Sequence, residues 1–155
     1  MKIFTESQRM FDSTFNKIII LLVVALLGKT LYTGFTDGFQ SMSYFSVVIL
    51  FLCIALFVFF RVHSEITSEA IKIRITPFNV FNKTIYWNEV RKVEVVQYSA
   101  IKEYGGWGYR VRGKGKAINP SGDKGLKIHL KSGNHILLGT RKADELAAFL
   151  KEIKR

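Results

Sequence analysis

Cysteine is nearly absent. Cys53 is the only one in 155 residues, so no intrachain disulfide can form and no thiolate cluster can hold a metal. Acidic residues are scarce as well: twelve Asp and Glu stand against twenty-three Lys and Arg, a formal net charge of +11. Of the three histidines, His129 and His135 are expected on the outer face of one hairpin, diagonally near each other. Two imidazoles without a third ligand read as surface residues rather than a metal site. Phosphate-cradling glycine spacings are missing too, since Gly113-x-Gly115 fits neither G-x-G-x-x-G nor G-x-x-x-x-G-K-[ST]. Glu89 has no nucleophile or partner acid spaced to work with it, and a turn between strands accounts for it. The pattern therefore indicates no enzyme, no cofactor and no metal. The positive charge alone would suit nucleic acid, but no recognition motif accompanies it.

Charge is missing altogether from Ser43–Phe60, SYFSVVILFLCIALFVFF, which ends at Arg61. A helix of this length covers about 27 Å, close to the hydrocarbon thickness of a bilayer. Apolar residues occur all around it, so no face is left for water. We expect a transmembrane helix here, spanning residues 43–61. A weaker run, Phe15–Phe35, is long enough to be a first span, with Lys17 and Lys29 near opposite ends and Tyr32 suited to the interface. A signal peptide is its rival, with Lys2, Arg9 and Lys17 before the apolar core, but Glu6 and Asp12 interrupt that basic segment and no small-x-small site follows Leu27. Residues 1–14, with Phe4, Met10 and Phe11 among polar residues, read as an interfacial helix or arm. The loop Thr36–Met42 holds a single charge, Asp37, while basic residues flank the other ends, which favours both termini on the cytoplasmic side. Gly34, Gly38 and Ser41 would form the bend, and Ala25, Gly28, Gly34 and Ala55 offer small residues for helix contacts.

Beyond Arg61 the apolar period changes to two. Residues 61–155 carry nineteen Lys and Arg against nine Asp and Glu, and they are enough for one small domain. Strands are expected at Glu65–Thr67, Ile71–Ile75, Val80–Tyr86, Val90–Tyr98, Tyr109–Arg112 and Lys116–Ile118. Leu126–Lys131 and His135–Leu138 form the clearest hairpin, with a Ser132-Gly133-Asn134 loop pairing Leu130 with Ile136 and Ile128 with Leu138. Ala143, Leu146, Ala147, Leu150 and Ile153 recur at helical spacing within Lys142–Lys154, with Thr140 or a neighbour as cap. The expected fold is α+β: about seven antiparallel strands in a bent sheet or barrel, closed by one C-terminal helix, behind a two-helix transmembrane hairpin.

Lys102–Lys131 is rich in basic residues and glycine, and its glycines suggest a long folded loop. Trp107, Tyr109, Arg110, Arg112, Lys114, Lys116 and Lys124 are the candidate binding residues, a basic and aromatic surface for anionic lipid headgroups or an acidic protein partner. The alternative for Trp107 is a packing anchor, and for the charges a solvated face. A different class of function, a structural subunit assembling with itself or with another membrane protein, is also open.

Two apolar spans, short strands, the Trp87-Asn-Glu-Val turn, Gly105-Gly-Trp-Gly-Tyr-Arg110, Asn119 with Ser121-Gly122, Gly125-Leu-Lys-Ile-His-Leu130, Ile136-Leu-Leu-Gly-Thr140 and a closing helix together resemble bacterial pleckstrin-homology-domain membrane proteins. The resemblance covers roughly residues 62–155 for the domain. It implies a pleckstrin-homology-like fold, a bent seven-stranded sheet capped by one helix, no enzymatic activity and residence in the bacterial inner membrane. Phosphoinositide-binding members of the wider superfamily place bases around the first strand-to-strand loop; here Thr67–Ala70 carries Glu69 and no base, so inositol-phosphate recognition is not implied.

Overall fold

The computed structural model describes residues 2–9, 14–38, 44–77 and 81–153. They fall into two compact units, Met10–Phe60 and, joined across that insertion, Met1–Arg9 with Arg61–Arg155.

The first of these units is a helix pair, α1 (Thr14–Thr36) and α2 (Tyr44–Phe59), lying side by side. Asn16–Thr36 is long and apolar enough to cross a membrane, and only 11% of its most apolar window is buried. A helix from the core of a soluble protein would be mostly covered. The hydroxyls of Thr30, Thr33 and Thr36 donate back to the carbonyls of Leu26, Thr30 and Tyr32, so the helix satisfies its own polar side chains there. Of the two expected spans, the one weaker in sequence is the one long enough to cross. α2 has 16 residues, about 24 Å of helix, short of a full crossing by itself. It stops at Phe59, and Arg61 already belongs to a strand. Gly34 lies inside α1 rather than at a bend, Gly38 follows the helix with φ +91°, and Ser41 is outside the described residues.

Among the described residues the second unit is α+β, with nine strands in two sheets and no closed barrel. The first sheet has the order β1-β2-β3-β4: Phe4–Arg9, Arg61–Ile66, Ala70–Thr76 and Phe81–Tyr86, all antiparallel. Its inward side is formed by Val62, Ile66, Ile71, Ile73, Ile75 and Ile85, all buried. A single 3-10 turn, Trp87–Glu89, leads into the second sheet, where the Trp87 indole donates to the Thr67 carbonyl at 2.9 Å. That sheet has the order β5-β8-β9-β7-β6: Val90–Gln97, Lys124–Leu130, His135–Gly139, Gly115–Asn119 and Gly108–Arg112. A short helix α3 (Ala100–Tyr104) follows β5, and α4 (Ala143–Ile153) closes the chain with Ala143, Leu146 and Leu150 buried.

Three expectations are corrected. Residues 4–9 are neither an interfacial helix nor a free arm, and residues 10–13 lie outside the described ones. Phe4–Arg9 is an edge strand of the domain, with Phe4, Glu6 and Gln8 inward, Thr5, Ser7 and Arg9 outward, and Arg9 directly opposite Arg61. Two of its three inward residues, Glu6 and Gln8, are polar, so the sequence shows no apolar alternation. The buried groups are bonded instead: Glu6 accepts from the Thr140 hydroxyl at 2.6 Å and from the Arg141 N–H at 2.8 Å, and Gln8 donates to the Gly139 carbonyl at 2.7 Å. Second, the sheets are not wholly antiparallel, because β7 and β9 pair in parallel. β8 passes over one place in the sheet after β7, and β9 returns antiparallel to β8 into the gap, so it runs the same way as β7.

Third, the β8–β9 register is Ile128 with Ile136 and Leu126 with Leu138, two residues from the expected pairing. Gly133, at φ +84°, is the last of a Lys131-Ser132-Gly133 loop, where the left-handed residue is needed. Leu130 therefore closes on the Asn134 carbonyl at 2.9 Å. A shift of two keeps the same residues inward, which is why the pattern looked equally good both ways.

Candidate functional site

The glycine-rich stretch is a strand pair, not a long loop. β6 and β7 form a hairpin joined at Gly113-Lys114, with Arg112 opposite Gly115 and Gly108 opposite Asn119. Gly113 takes φ +57° in this turn, a conformation that an L side chain rarely adopts.

What holds the hairpin is α3. Ser99 caps that helix, accepting from the Lys102 N–H at 3.4 Å, while Glu103 reaches back to the Ser99 N–H at 2.8 Å. Gly105 ends it with φ +74°, its N–H on the Ile101 carbonyl, and the Gly106 N–H closes on Ala100. The Arg112 guanidinium then donates to the last carbonyls of the helix, Lys102 and Glu103, both at 3.0 Å. Arg112 is thus a tie between β6 and α3.

The other candidate residues separate by role. Trp107 is half-buried and packs against a cluster of Tyr98, Ala100, Tyr104, Ala117 and Leu137, and its indole N–H donates to the Gly122 carbonyl at 3.2 Å. It anchors the hairpin base. Tyr109 packs on Phe81 of β4, ring centroids 5.4 Å apart. Arg110, Lys114 and Lys116 are exposed, and among the described residues none of their side chains has a hydrogen-bond or ion-pair partner. Val111, between the two arginines, is 60% exposed and stands directly opposite Lys116. Lys124 opens β8 at the far end of the sheet, opposite Gln97, so the fold does not bring it to the hairpin tip.

Sequence reasoning missed the neighbours that the tip acquires. Lys83 of β4, with Asn134 and His135, joins Lys114 and Lys116 around a cleft of about 120 Å³. The His135 ring lies against Gly115, where a Cβ would collide with it, and the His135 N–H donates to the Lys114 carbonyl at 3.1 Å. Burial, then the positive charge of Lys127 and of His129, pushes the His135 imidazole below its ordinary pKa. Lys83 carries no local signal of this role, because strand pairing and sheet packing alone bring β4 to the hairpin.

The histidine pair is directly opposed rather than diagonal, with ring centroids 6.2 Å apart. His129 bonds Glu94 at 2.8 Å. Lys92 first, and then His129, hold the Glu94 carboxyl down to about 2. Among the described residues no three His, Cys, Asp or Glu side chains gather where a metal could bind. Behind the hairpin, burial pushes the Tyr98 phenol up to about 12; the neighbouring Asn119 side chain acts the other way, but no aligned hydrogen bond joins the two.

Among the described residues the arrangement offers three cations without partners and an exposed valine on a braced hairpin, a surface able to bind anions beside apolar groups. No known protein family matches the chain, and no characterised protein matches it as a relative.

Proposed function

We propose that this chain is a non-enzymatic binding module, pleckstrin-homology-like in its β domain and anchored in a membrane by the α1–α2 pair. The β6–β7 hairpin contacts anionic lipid headgroups on the cytoplasmic face. The observation that carries the reading is the exposed Val111 directly opposite Lys116, with Lys114 in the turn and Arg110 on the other face of the strand, three cations without partners among the described residues. Each Lys or Arg close to an anionic leaflet contributes about 1 kcal/mol. An apolar side chain among them can enter the interface as they pair with phosphates.

Support for the anchor comes from α1 and from strand pairing. Arg9 lies just before the helices, Arg61 just after them, and the two are directly opposite in one sheet. Such a pairing requires the chain to enter and leave the helix pair on the same side of any bilayer. It also speaks against a cleaved leader, since cleavage after Leu27 would remove β1 from its sheet. Few charges between the spans and several bases outside them favour the cytoplasm for that side. For the pleckstrin-homology-like identity, the support is a four-stranded antiparallel sheet, a second sheet and a closing helix in that chain order. β1 is an addition to the expected strands, and β7 and β9, both expected as strands, pair in parallel rather than antiparallel.

The test uses the full chain in nanodiscs of neutral lipid, or of neutral lipid with roughly one-third anionic lipid (about 1 kcal/mol for each base). Hydrogen exchange of residues 108–117 is expected to slow on the anionic discs and to recover in high salt. Combined R110Q, K114Q and K116Q changes should abolish the slowing, since three bases contribute about 3 kcal/mol, on the order of 100-fold in docking. Equal exchange on both discs would refute the lipid reading.

A further inference from the structure

A second cavity of the β domain lies away from the hairpin. It is a hollow of about 690 Å³ on the outer side of the first sheet, within the size range of small-molecule sites. Its residues follow from the register. Ser7, His63, Arg74 and Asn82 are directly opposite one another on β1, β2, β3 and β4 and so form one row across the sheet. Neighbours in such a row have Cβ atoms about 5 Å apart. Thr5, Glu65, Lys72 and Thr84 form the next row on the same side, and Arg9, Arg61 and Thr76 the row beyond.

The charges in these rows do not cancel. Two acids line the hollow: Glu65, which Lys72 occupies at 3.0 Å, and Glu6, whose carboxylate is taken up by the Thr140 hydroxyl and the Arg141 N–H. Arg74 has no hydrogen-bond or ion-pair partner among the described residues, although it stands in the middle of the central row. Beside it are groups that donate hydrogen bonds without carrying negative charge: the Ser7 hydroxyl, the Asn82 amide and the His63 imidazole, which is 3.4 Å from the Thr76 hydroxyl. A planar guanidinium flanked by hydrogen-bond donors matches a phosphate or carboxylate, which accepts two parallel hydrogen bonds from Arg and further ones from its neighbours.

We propose that this face binds a small soluble molecule bearing a phosphate group, with Arg74 holding the phosphate and Ser7, His63 and Asn82 completing its shell. The volume leaves room for a polar body of sugar size beside the phosphate, facing Thr5, Thr76 and Thr84. One wall belongs to β1, so the site exists only when the segment before the apolar helices is folded into the domain. It is distinct from the hairpin residues and does not depend on their reading.

The test is calorimetric titration of the full chain, in a neutral detergent, with inorganic phosphate and with glucose 6-phosphate. Saturable binding of both probes is expected, tighter for the sugar phosphate. R74Q should weaken it by about 10-fold or more, the effect of losing a charged hydrogen-bond pair. N82A and S7A should weaken it by a few-fold, while K114Q with K116Q should leave it unchanged. All five changed side chains in the row and hairpin are solvent-facing, so circular dichroism should show the variants folded; if R74Q did not fold, N82A and S7A would carry the comparison. Absence of saturable binding overturns the proposal, as does wild-type affinity in R74Q or in N82A with S7A. Loss of binding in K114Q with K116Q would move the anion site to the hairpin and overturn it too. So would binding only to vesicles containing a phospholipid with a terminal phosphate, because the occupant would then be a membrane rather than a soluble molecule.

Discussion

Replacing Glu6 with alanine tests whether the first nine residues belong to the β domain. In sequence Glu6 is 134 residues from its partner Thr140. Its carboxylate accepts two hydrogen bonds, at 2.6 Å from the Thr140 hydroxyl and at 2.8 Å from the Arg141 N–H. The same Thr140 hydroxyl oxygen accepts from the Lys142 N–H at 3.0 Å, so Glu6 fixes the residue that leads into α4. Hydrogen bonds to a charged group are worth about 1.5–3 kcal/mol each, and a buried hydroxyl loses its acceptor as well. Arg141 is exposed enough for water to replace one bond in part. The expected destabilisation is therefore about 2–4 kcal/mol, near the low end of the two-bond sum. For a domain of this size, at about 4 °C per kcal/mol, the Tm falls by about 8–16 °C. Thermal unfolding of the full chain in detergent, followed by near-ultraviolet circular dichroism, measures it. Thr5→Ala, on the outward side of the same strand, serves as control and should stay within about 0.5 kcal/mol. If E6A unfolds within 0.5 kcal/mol of the parent chain (about the scatter for surface changes), β1 does not dock as described.

Other outcomes follow from the same contacts. A fragment starting at Val62 lacks β1, exposes the edge of β2 and strands Thr140 without its acceptor; it should be poorly folded and aggregate, which gel filtration would reveal. The His135 pKa is depressed in the fold, so the folded state binds that proton less well than the unfolded chain. Stability is full above the unfolded value of about 6.5 and declines as pH falls below it. Denaturant titrations at pH 7.5 and 5.5 should show the decline in the parent and a smaller one in H135Q; an equal decline in both would exclude His135 as its source. Glu94 acts in a lower window, its contribution holding above about 4.3 and disappearing toward its folded value of about 2. Tyr98 presents a buried hydroxyl without an aligned partner, so Y98F should be neutral or stabilising by up to about 1 kcal/mol, and its removal should delete the phenol that titrates near 12. Destabilisation beyond that amount would mean the hydroxyl is bonded.

Local periodicity was a sound guide where one side of an element is apolar. β3 alternates Ile71, Ile73 and Ile75 with Lys72, Arg74 and Thr76, and α4 places Leu146 and Leu150 on one face; both elements are where the alternation and the helical spacing put them. The β8–β9 hairpin was legible as a hairpin and ambiguous by two residues, because both registers bury the same side chains. β1 was illegible for the opposite reason: Glu6 and Gln8 are buried through partners at Thr140, Arg141 and Gly139 that no local pattern can announce.

The candidate site divides in the same way. Arg110, Lys114 and Lys116 were visible as a local excess of charge. That Arg112 ties down α3, that Trp107 anchors the hairpin base and that Lys124 lies elsewhere depend on which strands pair. Lys83 reaches the hairpin only through the packing of two sheets. The row of Ser7, His63, Arg74 and Asn82 gathers four residues spread over 76 positions of chain, with the apolar helices between the first and the rest. The amino-acid sequence by itself determined the apolar helices, the α+β character and the basic charge, because each arises from side chains within one turn or one strand of each other. Tertiary structure alone decided the joining of β1 to β2, the insertion of β9 beside β7 and the two clusters of cations, because hydrogen bonding between distant strands, not local preference, selects those neighbours.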